Sequence, residues 1–420
     1  MSHKWIRTGL TWIGVAIGLV ATFVAGLFVY VTATARPLHP DPRAVPSVMR
    51  SLPAPRWAEP MRRAEQLVRA GLTEQNLPGL SVAIGIGGEI VWSEGFGYAD
   101  LEKRAPVTPH TRFRIGDVSD TLTSVAVGLL LEKQALNLDA DIQVYVPEFP
   151  EKQWPVNVRQ LMAHTAGVRN DAGDEESLEP CERTLDGLKR FADSPLRFEP
   201  GTQFRSSSYG WILVSAAVEA AAKEPFFSFM RRQILDPVGM DATRPDSVKT
   251  PIPDRATFYF PRFAADNRYG PELAREGDHS CFAGAGAFLS TPSEMVRFGM
   301  AVSSGKLLQP ATVEMLQTSQ RLASGEETGY GLGWKLETVS LAGESTRMAG
   351  HGTKPDFIGT SAYLMTFPEH GMVVAVISNT SFADAKSIAL KIAQVFAQEP
   401  RTASPSSSTE RLPLVRITGP

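Results

Sequence analysis

Cysteine is nearly absent: Cys181 and Cys281 are the only two in 420 residues, and neither belongs to a CxxC or Cys/His spacing. A structural zinc site and a disulfide scaffold are thereby excluded, and one bridge is the most the chain can make. An excess of charge of either sign is also missing. Forty-two Lys and Arg face 45 Asp and Glu, a net charge of -3, so no global field exists to hold a polyphosphate, and nucleic acid is not an expected partner. His279 and His370 fall in loops without metal-ligand spacing, so no metal and no other cofactor is expected. No internal repeat is found. With 43% hydrophobic and 21% charged residues the composition is globular and leaves no room for a mainly disordered chain.

One stretch lacks charge altogether. Between Arg7 and Arg36 no Asp, Glu, Lys or Arg occurs, and Leu10 to Val31 reads LTWIGVAIGLVATFVAGLFVYV. At 1.5 Å per residue that run is about 33 Å long, enough to cross the hydrocarbon core of a bilayer. Lys4 and Arg7 precede it, and Trp12 and Tyr30 sit near its ends, which predicts a cytoplasmic N-terminus of residues 1–9 and a single-pass helix over 10–32. The globular part then lies on the far side of the inner membrane, in the periplasm or outside. Ala33-Thr34-Ala35 also fits signal cleavage, which would release a secreted chain. Seven prolines between Pro37 and Pro60 predict a semi-rigid linker over 33–60 that holds the domain off the membrane. The globular domain follows over 61–398, and a Ser/Pro-rich tail over 399–420 is expected to be disordered.

Inside the domain, LSVAIGIGG and EIVWSEGFGYAD make a hairpin signature around Gly87-Gly88. TSAYLMTFPEHGMVVAVISNT repeats it near the C-terminus, and DAKSIALKIAQVFAQ closes with helical periodicity. Between them, TLTSVAVGLLLEKQA is apolar nearly all round and predicts a buried helix, followed by RQLMAHTAG and SYGWILVSAAVEAAAK. The expected class is α/β (α+β): one antiparallel sheet assembled from both chain ends, flanked by helices, with an all-helical region inserted.

The order of local signatures carries a resemblance. GLSVAIGIGGEIVWSEGFGYADLEKRAPVTPHTRFRIGDVS, VRQLMAHTAGV, EPGTQFRSSSYGWILVSAAVE, ILDPVGMDAT and GAGAFLSTPSEMVRFG resemble the class C β-lactamase and D-alanyl-D-alanine carboxypeptidase family. The tract DIQVYVPEFPEK is similar to its mitochondrial serine β-lactamase-like branch. The resemblance runs from about Leu77 to about Phe396 and implies an active site between the sheet and the helical subdomain.

In that family a Ser opens a buried helix and a Lys one turn later lowers the cost of its deprotonation. The resemblance puts Asp117 in the place of the Ser and Asp120 in the place of the Lys. The family's Tyr-x-Asn maps onto Ser206-Ser207-Ser208, with Ser206 for the Tyr and Ser208 for the third residue. Tyr209 could replace the phenol only in a rearranged loop. The strand motif Lys/His-Thr-Gly resembles His351-Gly352-Thr353 with its last two residues exchanged, and Lys354 then stands where an oxyanion-hole N–H is donated, while Pro355 has none to give. Two readings of the carboxylates stay open. Asp117 can be a helix N-cap with Asp120 on the positive end of the dipole, or the two can form a carboxylate pair in a cleft, for acid/base work, for a cation or for a basic ligand, with Asp117 itself as a nucleophile the remotest use. Ser303-Ser304-Gly305-Lys306 is the literal Ser-x-x-Lys, yet it reads as a turn between helices. His164 in LMAHTAG reads as structural.

These substitutions imply a membrane-anchored, catalytically degenerate module that binds a cell-wall peptide or another protein. The alternative is a hydrolase of esterase, amidase or peptidase type with a recast site. A Cys181–Cys281 disulfide is expected if the domain is exported.

Overall fold

The computed structural model describes residues 2–170, 180–247, 249 and 251–398; the tail predicted over 399–420 lies outside them. The chain opens with α1 (Ser2–Thr34). Among the described residues its segment Trp12–Thr34 is the one helix long and apolar enough to cross a membrane. Then come β1 (Ser47–Met49), α2 (Ala58–Glu74), β2 (Gly79–Ile86), β3 (Glu89–Asp100), β4 (Ala105–Pro106) and β5 (Phe113–Arg114). The helices α3 (Ser119–Glu132), α4 (Val158–Met162), α5 (Ser208–Ala222) and α6 (Phe226–Met230) follow. Three further short strands are β6 (Arg244–Pro245), β7 (Tyr259–Pro261) and β8 (Pro271–Leu273). The chain continues through β9 (Phe288–Ser290), α7 (Pro292–Ser303), α8 (Pro310–Leu316), β10 (Lys335–Leu341) and β11 (Glu344–Gly352), then β12 (Ser361–Phe367), β13 (Met372–Ser378) and α9 (Ala385–Ala397).

Eight strands form one antiparallel sheet in the order β1-β3-β2-β13-β12-β11-β10, with β4 beside β3. The two hairpin signatures become β2–β3 and β12–β13, and β13 pairs with β2, Val376 opposite Val82, so both chain ends meet at the centre. Gly87 and Gly88 turn the first hairpin with φ of +61° and +90°, angles that a side chain resists. Alternation along the strands separates two cores. Leu80, Val82, Ile84, Val374 and Val376 pack with α2 and α9, whereas Ala83, Val373, Ala375 and Ile377 face the helical side.

The α/β class and the paired termini agree with the sequence reading. The inserted region, however, is not all-helical: β5, β9 and β6 make a three-stranded sheet, and β7 pairs with β8. The run of Ser303 to Lys306 closes α7 in a turn around Gly305, φ +74°, as expected.

The proline-rich stretch needs a larger correction. Residues 38–49 lie on the domain instead of holding it away. Leu38 N–H donates to Asn76 Oδ1 at 2.7 Å, His39 is buried and stacks on Tyr98 with ring centres 5.7 Å apart, and Val45 joins the α2/α9 core. Three residues of β1 then pair with β3, Val48 opposite Gly95. Proline content restricts φ and removes N–H donors, but it does not decide whether the intervening His39, Val45 and Val48 find partners.

Candidate active site

After β5 the chain turns through Gly116, φ +50°, into a short 3-10 turn, Gly116–Val118, that leads directly into α3. A Cβ at Gly116 would come within 2.6 Å of Thr353 Cγ2, so glycine lets the elbow press against the end of β11. Asp117 sits on that elbow and Asp120 one turn later, both buried.

The N-cap reading of Asp117 is overturned. The residue ahead of α3 is Val118, and no side chain caps the helix. Asp117 instead reaches across the cleft: its Oδ2 accepts the Lys354 backbone N–H at 2.8 Å. Ser208 Oγ makes a long 3.5 Å contact with Asp117 Oδ1 and accepts from Lys354 Nζ at 3.2 Å. Ser208 is held there by α5, whose N-cap Ser207 accepts the Gly210 N–H, while the Ser208 N–H is taken by Asn170 Oδ1. A carboxylate, a hydroxyl and an ammonium from three distant parts of the chain thus share one bonded cluster.

Asp120 lies deeper. Its Oδ2 is 3.9 Å from His164 Nε2 and 3.8 Å from His351 Nε2, both beyond hydrogen-bond range, and its Oδ1 is buried with no hydrogen-bond partner. Burial, and after it the Asp117 charge, push the Asp120 carboxyl well above the usual range, with Lys354 opposing. Burial pushes His164 well below its ordinary value, helped by His351 and Lys354. Burial also lowers His351, to about 4, against the pull of the Asp117 charge. With both imidazoles pushed toward their neutral form, the close His–Asp120 approaches are not ion pairs.

Tyr330 was not singled out in the sequence. Its hydroxyl lies 2.8 Å from His351 Nε2, and its ring packs 4.9 Å from His164. Burial raises its phenol well above the ordinary value, reinforced by Asp120 and Asp117, so the O–H stays on and donates. His351 Nδ1 then donates to the Gly352 carbonyl at 3.1 Å. No local pattern marks Tyr330, which lies 21 residues before His351 in the loop ahead of β10; only the folded chain brings it into the cleft.

Other expected residues fall elsewhere. Ser206 is exposed ahead of α5, and the cluster is built on Ser208 instead. Tyr209 points into the helical core, stacked on Phe191 at 4.7 Å, so it does not replace the family's phenol. Thr353 and Gly352 stay at the end of β11, where Thr353 Oγ1 accepts the Ala362 N–H. His164, read as structural, instead faces the cleft from a left-handed backbone conformation, φ +58°.

Asp120, His164 and His351 bring three donor atoms within 4.8 Å of one another, a spacing a metal ion could use. The tautomers decide against it. His164 Nδ1 accepts the Ser207 N–H at 3.1 Å, so in the neutral ring Nε2 carries the proton and has no lone pair to give while that bond stands. His351 Nε2 is the accepting nitrogen, yet Tyr330 already donates to it.

The predicted disulfide is present: Cys181 and Cys281 are joined, with Cα atoms 4.9 Å apart, tying the segment after residue 180 to the 3-10 turn Ser280–Ala285 that packs on α5.

A family model described as Beta-lactamase matches residues 64–397. Serine beta-lactamase-like protein LACTB, mitochondrial, from Bos taurus is 27% identical, over 77% of this chain and 77% of its own length. Penicillin-binding protein 4* of Bacillus subtilis is 26% identical, over 70% of this chain and 66% of its own. Among solved structures, the octameric penicillin-binding protein homologue from Pyrococcus abyssi superposes with a TM-score of 0.67 over 81% of this chain and 78% of that one, at 21% identity. A D-amino acid amidase from Ochrobactrum anthropi gives 0.66 over 81% and 98%, also at 21% identity; these two likenesses speak for the fold. With the family model spanning the sheet, the helices and the cleft between α3 and β11, the chain belongs to the beta-lactamase family.

Proposed function

We propose that this protein is a membrane-anchored beta-lactamase-family module that has given up acyl-serine chemistry and works as a binding or scaffold domain for a peptide or protein ligand. One observation carries the reading: Asp117 Oδ2 accepts the Lys354 N–H at 2.8 Å. In the family arrangement a serine would stand at residue 117, and the N–H at residue 354 would stabilise the oxyanion formed when that serine attacks. Here a carboxylate replaces the nucleophile and occupies the donor. A substrate carbonyl would have to displace an anion already bonded there. The residue in the general-base position, Asp120, is a buried carboxyl whose proton affinity is raised well above the usual range, and Tyr330 fills the space beside His351.

The long uncharged run of α1 supports anchoring, and the basic residues Lys4 and Arg7 ahead of it favour a cytoplasmic N-terminus with the domain on the outer face. The disulfide agrees with an oxidising compartment.

A second reading has its own observation. Ser208 Oγ, 3.2 Å from Lys354 Nζ at the start of α5, is a serine with an amine beside it. Against it, Asp117 Oδ1 lies 3.5 Å from the same hydroxyl and would repel a developing oxyanion.

A fluorescent penicillin and a serine-directed phosphonate test both readings. Neither reagent is expected to label the protein, and a chromogenic cephalosporin should not be hydrolysed above background. Stoichiometric labelling mapped to Ser208 overturns the non-catalytic reading in favour of the hydrolase. The combined change Asp117→Ser, Asp120→Lys serves as control, since it clears the Lys354 N–H and restores a nucleophile at residue 117.

A further inference from the structure

The last turn of α1 does not leave the domain freely. Arg262 Nη2 donates to the Val31 carbonyl and to Thr34 Oγ1, both at 3.1 Å, and so satisfies the C-terminal end of the helix. Phe28, one turn earlier, meets Phe263 at 6.4 Å and Tyr269 at 6.2 Å between ring centres, and Phe263 meets Tyr269 at 5.6 Å. These residues belong to the loop that joins β7 to β8 and begins immediately after Pro261. Val31 is buried by these contacts, although the rest of the apolar face from Trp12 to Tyr30 is exposed.

Depth follows from the helix rise. Phe28 lies three residues inside the end of the apolar run at Val31, about 4.5 Å at 1.5 Å per residue. A bilayer crossed by that run therefore has its hydrocarbon boundary within about one helical turn of the Phe28–Phe263–Tyr269 cluster. At the tip of the loop, Ala264 and Ala265 are exposed and carry no charge, while Asp266 and the exposed Arg268 just behind them are paired with each other at 2.6 Å, which suits the lipid–water interface and not the hydrocarbon interior.

We infer that the β7–β8 loop, residues 262–270, is a second membrane-contacting element that sits in the lipid–water interface beside α1. Phe263 and Tyr269 are its interfacial anchors. Arg262 spans the boundary, its stem along the helix and its guanidinium on the terminal carbonyl. The domain is consequently seated on the bilayer and not suspended above it. The inference rests on the anchor reading of α1, and the experiment separates the two.

The two native cysteines are bonded to each other, so single cysteines introduced by Ala264→Cys, Leu52→Cys and Val24→Cys can each carry a nitroxide label. The full-length protein is reconstituted into phosphatidylethanolamine/phosphatidylglycerol vesicles. Collision of each label with oxygen, which concentrates in lipid, is compared with collision with a water-soluble nickel complex. The oxygen-to-nickel ratio at residue 264 should exceed that at the water-facing residue 52 several-fold and stay below that at residue 24. Adding Phe263→Ser and Tyr269→Ser should bring it down toward the value at residue 52. A ratio at 264 equal to that at 52, with 24 still in lipid, overturns the inference and leaves the anchor standing. Water-like ratios at all three positions overturn the anchor and the inference together.

Discussion

The seam where β2 meets β13 and the cleft where α3 meets β11 are both buried, yet they are built from opposite materials. In the seam, Val82 faces Val376 and Ala83 faces Ala375, so each side chain finds an apolar neighbour fixed by the period of two. In the cleft, Asp117, Asp120, His164, Ser208, Tyr330 and His351 come from scattered segments, and all but Asp120 make a hydrogen bond to another segment. Burial in the seam is stabilising by itself. Burial in the cleft costs free energy wherever a partner fails, as at Asp120 Oδ1.

The strongest break of this contrast is to put cleft chemistry into the seam. Val374 is fully buried on β13, and Val374→Asp should cost on the order of 5 kcal/mol, the scale of an unpaired buried charge, so the domain should fail to accumulate in a folded, protease-resistant form. Next in size is reduction of the Cys181–Cys281 bond, which closes a loop of 100 residues beside α5. Chain entropy sets the loss at up to roughly 4.7 kcal/mol, read as a lower urea midpoint. Thiol counting under denaturing conditions should find free thiols only after reductant.

Within the cleft itself, Asp117→Ala leaves the Lys354 N–H without its acceptor and should cost about 1–3 kcal/mol, whereas Asp117→Asn keeps an oxygen there and should cost less. The smallest effect should have the opposite sign. Asp120 binds its proton more tightly folded than unfolded, so above its ordinary value of 3.8 the folded state holds the extra proton and stability falls as pH rises. Asp120→Asn removes that loss. Its gain, on the order of 1 kcal/mol, should be absent near pH 4 and grow toward neutrality. A gain independent of pH would sink the account of a raised proton affinity at Asp120. His351 runs the other way: its proton affinity is lowered from 6.5 to about 4, so stability is lost as pH falls through that window.

The same contrast explains what could be read from the sequence. Alternation in β2, β3, β12 and β13 is local, and it was sufficient to find the two hairpins and the sheet, as the all-round apolar run was for the buried α3. The order of short signatures pointed to Asp117, Asp120, Ser208 and Lys354, and the folded chain brings these four to one cleft. Tyr330 escaped, since nothing beside it distinguishes a cleft tyrosine from a core one. Asp117 was open to an N-cap reading because helix position is local, while its actual partner lies 237 residues away. The proline-rich stretch was misread for the same reason: composition describes the segment, and its strand partner is β3.

That docked stretch has one more consequence, for the fate of the domain after proteolysis. Arg50 to Arg56 is an exposed run between β1 and α2, with Leu52 90% exposed. A cut there separates the membrane anchor from the domain but leaves β1 on the anchor's side, held by three residue pairs with β3, by Arg69 on Ser47 and the Val45 carbonyl, and by the docked Leu38, His39 and Val45. If the short strand departs with the anchor, the released fragment exposes the backbone of β3 from Glu94 to Phe96 as an open edge, a template for strand addition. Shedding would then turn a covered sheet edge into one open to self-association. Size-exclusion of the fragment cut at residues 50–56, against one cut before Leu38 that retains β1, would show it directly: the first should elute at a larger apparent size than the second.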